Sequence, residues 1–279
     1  MIKNLESAKA RLEKRQTELA HSAKKSLGQN FLISDHVIAK IIQEAKKTQE
    51  ISVIEIGPGL GALTDELILN HMNYTAIEMD RGLSGYWQQQ GLSVIEGDAL
   101  QINWENLSAR LLVSNLPYQI SSTLVIERSL RPFNIRTMIL MFQKEVAQRI
   151  RAQCKTAEYG MLSVMAQEFW TIETVCDAGP KDFSPPPKIA SRVLKFSLKN
   201  SEIENREEYL KFIKMCFQHR RRILKSNLES KYHEKYLNWI KEKKYSDKLR
   251  AEELSPEQLK ELYLKMTDAT VASAGTDNR

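Results

Sequence analysis

The segment Ile51-Ser52-Val53-Ile54-Glu55-Ile56 runs straight into Gly57-Pro58-Gly59-Leu60-Gly61, and Leu63 to Leu69 follows with apolar residues at helical spacing. A short apolar run closed by glycines reads as a buried strand. Strand, Gly-rich turn, helix is the opening unit of a nucleotide-binding βαβ fold. Glycine is needed there because a ligand must lie against bare main chain. The pattern then repeats. Tyr74 to Ile77, Ser93 to Ile95, Leu111 to Val113, Thr137 to Phe142 and Val193 to Leu198 read as strands. Helices are expected from Ser34 or Asp35 to about Lys47, from Ile120 to Leu130, and from Lys144 to Ala152. The alternation predicts an α/β fold with an open, Rossmann-like sheet.

In such a sheet, ligands bind beyond the carboxyl ends of the strands. Three strands end there in polar groups. Glu78 closes the second strand, roughly twenty residues past the first glycine, where a carboxylate can accept both hydroxyls of a ribose. Gly97-Asp98 closes the third, and Asp98 is placed to accept from an adenine amino group. The fourth runs into Ser114-Asn115-Leu116-Pro117-Tyr118. Proline holds Leu116 extended and so directs its carbonyl. The Asn115 side-chain oxygen and that carbonyl are two acceptors beside a flat ring, which are the needs of an exocyclic amine on a stacked base. Taken alone, the same tetrad also reads as a strand followed by a polar turn. The two acids at neighbouring strand ends favour a nucleotide site.

Composition removes several other classes. Hydrophobic residues make up 42% of the 279, enough for a full core. The three cysteines, Cys154, Cys176 and Cys216, are odd in number and far apart, with no C-x-x-C, and the five histidines are scattered. Neither a disulfide framework nor a metal site is expected. No apolar run approaches the roughly 20 residues of a membrane span. The first twenty residues lack the apolar core of a signal peptide, so a reduced, cytoplasmic setting is expected. The net charge of +6 points to a polyanion only where it is concentrated.

It is concentrated in three places. Residues 1–23 read as a basic arm, partly helical from Leu5 and largely solvated. Lys24-Lys25 then opens Ser26-Leu27-Gly28-Gln29-Asn30-Phe31-Leu32, a loop with a glycine hinge that could close over a ligand. Beyond Lys199 the composition becomes helical and basic. Phe212, Ile213, Cys216, Phe217 and Leu224 recur at helical spacing, with Arg220, Arg221, Arg222 and Lys225 crowding the other positions. These four read as a phosphate-binding face, or more blandly as a solvated one. Ser255-Pro256 starts a final helix, and the chain from about 269 is expected to be disordered. The expected division is therefore an arm over 1–23, an α/β domain over 24–199 and an all-helical domain over 200–279. Before Lys199, Phe183-Ser184-Pro185-Pro186-Pro187-Lys188 is a stiff extended loop. It presents Phe183 and Lys188, or else is a rigid connector whose Phe is core.

The loop before the first strand, G-P-G-x-G, the two acids, N-L-P-Y and the Pro-rich Phe loop form one ordered set. That set closely resembles the ribosomal RNA adenine dimethyltransferase family, which uses S-adenosylmethionine, and is most similar to its small-subunit, KsgA-type branch. The likeness spans about Lys24 to Leu198 and resumes over Cys216 to Leu228. It implies that Asn30 and Leu32 help hold the cofactor and that Gly57 and Gly59 lie along its methionine part. It implies that Glu78 takes the ribose, Asp98 the adenine amine, and Asn115 both the cofactor side and the target amine. Leu116 and Pro117 complete the catalytic turn, with Tyr118 and Phe183 sandwiching the target base. Lys24, Lys25, Lys188 and the Arg220–Lys225 cluster would hold RNA phosphates. Thr123 stands where the family usually has Pro, Gln119 where Asn is usual, and Ala190 where Asp is common; the arm before Lys24 is longer than usual.

The resemblance implies N6,N6-dimethylation of adenines, two adjacent ones, near the 3′ end of small-subunit rRNA in an immature ribosomal subunit, by a monomer with a part in subunit biogenesis. The nearest rival is a large-subunit rRNA adenine methyltransferase of the macrolide-resistance type. A non-enzymatic ribosome-assembly factor is a rival of another class. A dehydrogenase is disfavoured because Pro58 removes a backbone donor from the phosphate cradle, and N-L-P-Y has no part in hydride transfer.

Overall fold

The structure is a computed structural model that describes residues 6–24, 28–70 and 73–267. Lys25 and the tail expected to be disordered lie outside them. The strands are β1 (Phe31–Leu32), β2 (Ser52–Ile56), β3 (Asn73–Glu78), β4 (Ser93–Glu96), β5 (Leu111–Asn115), β6 (Thr137–Gln143), β7 (Trp170–Ala178), β8 (Phe183–Ser184) and β9 (Ser191–Leu198). The helices are α1 (Ala8–Glu18), α2 (Asp35–Lys47), α3 (Thr64–Asn70), α4 (Arg81–Gln89), α5 (Ser121–Leu130), α6 (Lys144–Arg151), α7 (Met161–Phe169), α8 (Arg206–Cys216), α9 (Leu224–Asn227), α10 (His233–Glu242) and α11 (Pro256–Thr267). The chain divides into two compact units, one of residues 1–148 with 170–198, the other of 149–169 with 199–279.

The first unit is built on a seven-stranded sheet of order β4-β3-β2-β5-β6-β9-β7. β4, β3, β2, β5 and β6 are parallel, while β9 runs antiparallel to both β6 and β7. Parallel strands need both faces covered, which is why Val53, Ile54, Leu111 to Val113 and Met138 to Phe142 are apolar without alternation and fully buried. β2 has β3 on one side and β5 on the other, so the strand order reverses between them. That is the topological switch point, and a crevice opens there at the carboxyl ends. Ser114 ties the pair at that end by donating to the Ile56 carbonyl at 2.6 Å.

Two features differ from the sequence expectation. β7 lies in a stretch with no clear period: Thr171, Glu173 and Thr174 face outward on an edge strand, and a register shift between Thr174 and Cys176 breaks the alternation. The N-terminal arm is not solvated all round either. Within α1, Ala8, Arg11 and Leu12 are buried. Of the two candidate caps of α2, Ser34 occupies the N-cap without a side-chain cap bond, and Asp35 accepts from the Ala8 backbone N–H at 2.8 Å.

The second unit is helical. α7 belongs to it, so this unit is discontinuous in sequence, a feature absent from a single division at 199/200. Phe169 meets Tyr209 of α8 edge-on at 6.1 Å, and the Tyr159 hydroxyl donates to the Leu254 carbonyl at 2.8 Å. Ser255 accepts from the Gln258 backbone N–H at 3.3 Å and Pro256 opens α11, as the sequence predicts. The helix expected to run through Leu224 stops at Cys216. The buried Asn227 side chain donates to the Cys216 carbonyl at 2.8 Å and to the His219 carbonyl at 3.3 Å. Arg220, Arg221 and Arg222 therefore sit on an exposed turn rather than on a helix face.

Asn227→Ala removes both donors from these carbonyls and should cost about 1–3 kcal/mol of stability in urea unfolding. Hydrogen exchange over residues 217–223 should rise with it. Wild-type stability and exchange would show that the turn is held by something else.

Candidate active site

A pocket of about 290 Å³ lies at the switch point, walled by residues of the first unit alone. Its floor is the glycine turn. Gly57 has φ of 67° and Gly59 of 54°, conformations that side chains rarely adopt. A Cβ on Gly57 would meet nothing within 4 Å, so the main chain there lies open to a ligand.

Glu78, at the end of β3, is 6% exposed. One oxygen accepts from the Gly59 backbone N–H at 3.2 Å and the other from that of Asp80 at 2.9 Å. Burial pushes its carboxyl above the usual range, and the two backbone donors partly offset this. A carboxylate so placed keeps further lone-pair positions for a diol. Asp98, beyond β4, accepts from the Leu100 backbone N–H with Oδ1 at 2.9 Å and stands on the same wall. Met79 was not singled out from the sequence. It is 59% exposed and lines the pocket beside Glu78, and an apolar residue directly after a strand-end acid was the available signal.

The opposite wall carries the Asn115 turn. The Asn115 Nδ2 donates to the Asn30 carbonyl at 3.0 Å, and Asn30 Nδ2 donates to the Gly28 carbonyl at 3.1 Å. The amide orientation follows from this network, and it leaves Oδ1 as the free acceptor. Leu116 and Pro117 continue the wall, and Leu32, 1% exposed, backs it from β1. The half-buried Tyr118 also lines the pocket, with its hydroxyl 3.0 Å from Ser191 Oγ on β9. Burial raises the phenol above its ordinary value. The hydroxyl has a structural partner, which leaves the ring as the part available to a ligand.

Phe183 does not join them. β8 pairs with β1, placing Phe183 opposite Leu32. The ring is 3% exposed and packs in the core with Val37, Ile38 and Leu32. An apolar ring gains more from that contact than from an open cleft, so it is core here rather than the second face of a base sandwich.

The basic residues are spread over both units. Lys24 is half-exposed and paired with Asp80 at 2.8 Å, and Lys188 is exposed on the Pro-rich loop. In the helical unit Arg220, Arg221 and Arg222 are exposed and Lys225 is half-buried. Arg220 is engaged with Glu252 at 3.0 Å and with the Thr156 carbonyl at 3.2 Å. Among the described residues no group of three His, Cys, Asp or Glu could hold a metal ion, and no helix is long and apolar enough to cross a membrane.

The donor set fits one class of ligand. An open glycine cradle, a backbone-held carboxylate able to accept from a diol and a second carboxylate on the same wall suit a nucleoside. The free amide oxygen and half-buried ring opposite match a second planar base with an amino group.

Known proteins share this arrangement of chain. The ribosomal RNA adenine dimethylase family matches residues 20–268. Ribosomal RNA small subunit methyltransferase A of Bdellovibrio bacteriovorus is 49% identical over 265 residues, which is 92% of this chain and 97% of that protein. The protein of the same name from a Sulfurihydrogenibium species is 38% identical over 245 residues, 84% of this chain and 92% of that one. The solved structure of a dimethyladenosine transferase from Plasmodium falciparum matches with a TM-score of 0.71 at 26% identity, covering 85% of this chain and 98% of its own.

Beneath the glycine turn, Glu55 accepts from Tyr74 at 2.6 Å and from Thr64 at 2.8 Å. Burial nonetheless pushes its carboxyl up to about 7. The folded state therefore binds this proton more tightly than the unfolded chain. The contribution is fully present below about 4.5 and is lost as pH rises through about 7, on the order of 3 kcal/mol. Glu55→Gln should flatten the decline of stability across that window in urea titrations. An unchanged slope would assign the decline to other groups.

Proposed function

The chain belongs to the ribosomal RNA adenine dimethylase family, and from that premise we propose that its pocket transfers methyl groups from S-adenosylmethionine to N6 of adenines in small-subunit rRNA. The observation that carries this reading is the Asn115 amide, held by the Asn30 carbonyl with its oxygen left free beside the Tyr118 ring.

Bound S-adenosylmethionine supplies an electrophilic methyl on its sulfonium. Glu78 holds the ribose hydroxyls and Asp98 the adenine amine, while Gly57 and Gly59 present bare main chain to the amino-acid part. Asn30 and Leu32 back it from the preceding loop. The target N6 is a poor nucleophile because its lone pair is delocalised into the ring. Asn115 Oδ1 and the Leu116 carbonyl accept its two N–H groups and turn the lone pair out of conjugation. Positive charge then develops on nitrogen, and the Tyr118 face favours it by about 0.5–2 kcal/mol. The methylated ammonium loses its proton readily, so a strong general base is not needed. Most of the acceleration is positioning. The base must first leave its stack, at a cost of a few kcal/mol that stacking on Tyr118 partly offsets.

Phe183 has no part in this proposal, because its ring is in the core. Lys188, Arg221, Arg222 and Lys225 are the cations proposed to hold RNA phosphates, which position the substrate without reading its sequence. Lys24 neutralises Asp80 instead. The substrate is rRNA in an immature small subunit, where two adjacent adenines near the 3′ end are each dimethylated. A working monomer and a cytoplasmic setting, where subunits are assembled, complete the proposal.

Labelled methyl transfer to immature small subunits tests the reading, with large-subunit RNA as the competing substrate. Asn115→Ala should lower turnover at least about 100-fold, as for loss of one preorganised polar group, with RNA affinity little changed. Tyr118→Phe keeps a π-face and should retain much activity, whereas Tyr118→Ala should not. Equal inactivity of both folded variants would replace stacking by a role for the hydroxyl. Cofactor binding without transfer to either RNA would favour an assembly factor.

A further inference from the structure

The roles assigned above leave α1 without a function, yet Ala8, Arg11 and Leu12 stand on the pocket wall. The helix is fastened to the glycine turn itself. Arg15 makes a bidentate pair with Asp65 of α3, at 2.8 and 2.7 Å, and donates to the Leu60 carbonyl at 2.9 Å. Its guanidinium lies over the Trp87 ring, 4.9 Å from the centroid, and the Trp87 indole N–H donates to the Gly59 carbonyl at 2.9 Å. Arg11 Nε is 2.8 Å from the same Asp65 carboxylate. Leu12 packs with Phe31, Leu60 and Leu83. Behind the helix, Lys24 and Gln29 both bond Asp80, two residues past the carboxylate proposed to hold the ribose.

The charges do not balance within this group. Two guanidiniums face one carboxylate, so this cluster carries an excess positive charge at one end of a pocket whose other charged lining groups are acids. Arg11 Nη1 donates to the Glu6 carbonyl, whereas the buried Nε and Nη2 have no hydrogen-bond partner among the described residues, Nε meeting Asp65 as an ion pair only. A buried, unmet cationic donor is costly unless a ligand satisfies it. The cofactor assigned to this pocket carries a carboxylate on its amino-acid end, the group such a wall suits.

We propose that α1 is the closing wall of the cofactor pocket, with Arg11, Arg15 and Asp65 as positioning residues that hold it shut over the amino-acid end of the cofactor. This rests on the cofactor reading given above. Entry and release then require the helix to lift, and bound cofactor holds the helix down. Removing the arginines alone strands Asp65, which is 6% exposed, as a buried unpaired carboxylate. The informative variant is therefore Arg11→Gln, Arg15→Gln and Asp65→Asn together, which removes the clamp without leaving a charge behind.

S-adenosylhomocysteine is the probe. Its dissociation is followed by stopped-flow competition, and α1 by hydrogen exchange with and without it. In the wild type, saturation should slow exchange of the α1 amides. The triple variant, and a chain lacking residues 1–19, should release the probe roughly tenfold faster or more, the kind of change that appears in dissociation rather than association. If the shortened chain does not fold, the triple variant carries the test. A merely structural strap would leave α1 exchange indifferent to the probe and the release rate unchanged, which would overturn the proposal. Glu78→Ala separates the two readings. If it loses the probe while the triple variant keeps wild-type release, the wall proposal alone falls. If Glu78→Ala binds like the wild type, the cofactor reading falls and takes the wall with it.

Discussion

The parallel pairing of β2 with β5 is the constraint on which the rest of this structure depends. Glu55 lies opposite Val113 in that register, and Ser114 fastens the two strands at their carboxyl ends. Because β3 and β4 extend the sheet on one side and β6 on the other, the chain turns away in opposite directions above β2 and β5. The glycine turn and the Asn115 turn are therefore neighbours although fifty-odd residues separate them. The same geometry brings Glu78 beside Gly59, since a parallel neighbour ends at the same edge. One β-sheet edge thus collects an open main chain, two carboxylates and an amide, each from a different strand.

Much of this edge was legible from the sequence, because its signals are local. An apolar run before glycines marks β2, and an acid at the end of such a run marks Glu78 and Asp98. A proline after Asn115 and Leu116 fixes a turn whatever packs around it. The unread parts depend on partners distant in the chain. Arg11 and Arg15 look like solvated charges until Asp65 is placed beside them, and nothing near α1 announces that acid. Phe183 sits among prolines in either role, and its pairing with Leu32 decides that the ring is core. Cys216, Phe217 and Leu224 keep a helical spacing, so the sequence alone reads the arginine turn as a helix face; in the fold the helix stops at Cys216, whose carbonyl accepts from the distant Asn227 side chain.

The pocket is acidic where it would meet a nucleoside, with Glu55 buried beneath it and Glu78 and Asp98 on its walls. The cations proposed to meet phosphates are on the Pro-rich loop and, in the helical unit, on the arginine turn. In the proposed function, ligand-specific hydrogen bonds and sequence-independent phosphate contacts fall to separate residues. Binding a polyanion does not require a cation inside the site where charge develops.

The central claim is that this sheet edge methylates adenine N6 in small-subunit rRNA. Mass mapping of modified adenines in that RNA, from cells with and without this protein, tests it most directly. The account predicts N6,N6-dimethyladenine near the 3′ end only where the protein is present with Asn115 intact. Identical maps from the two cell types would contradict it.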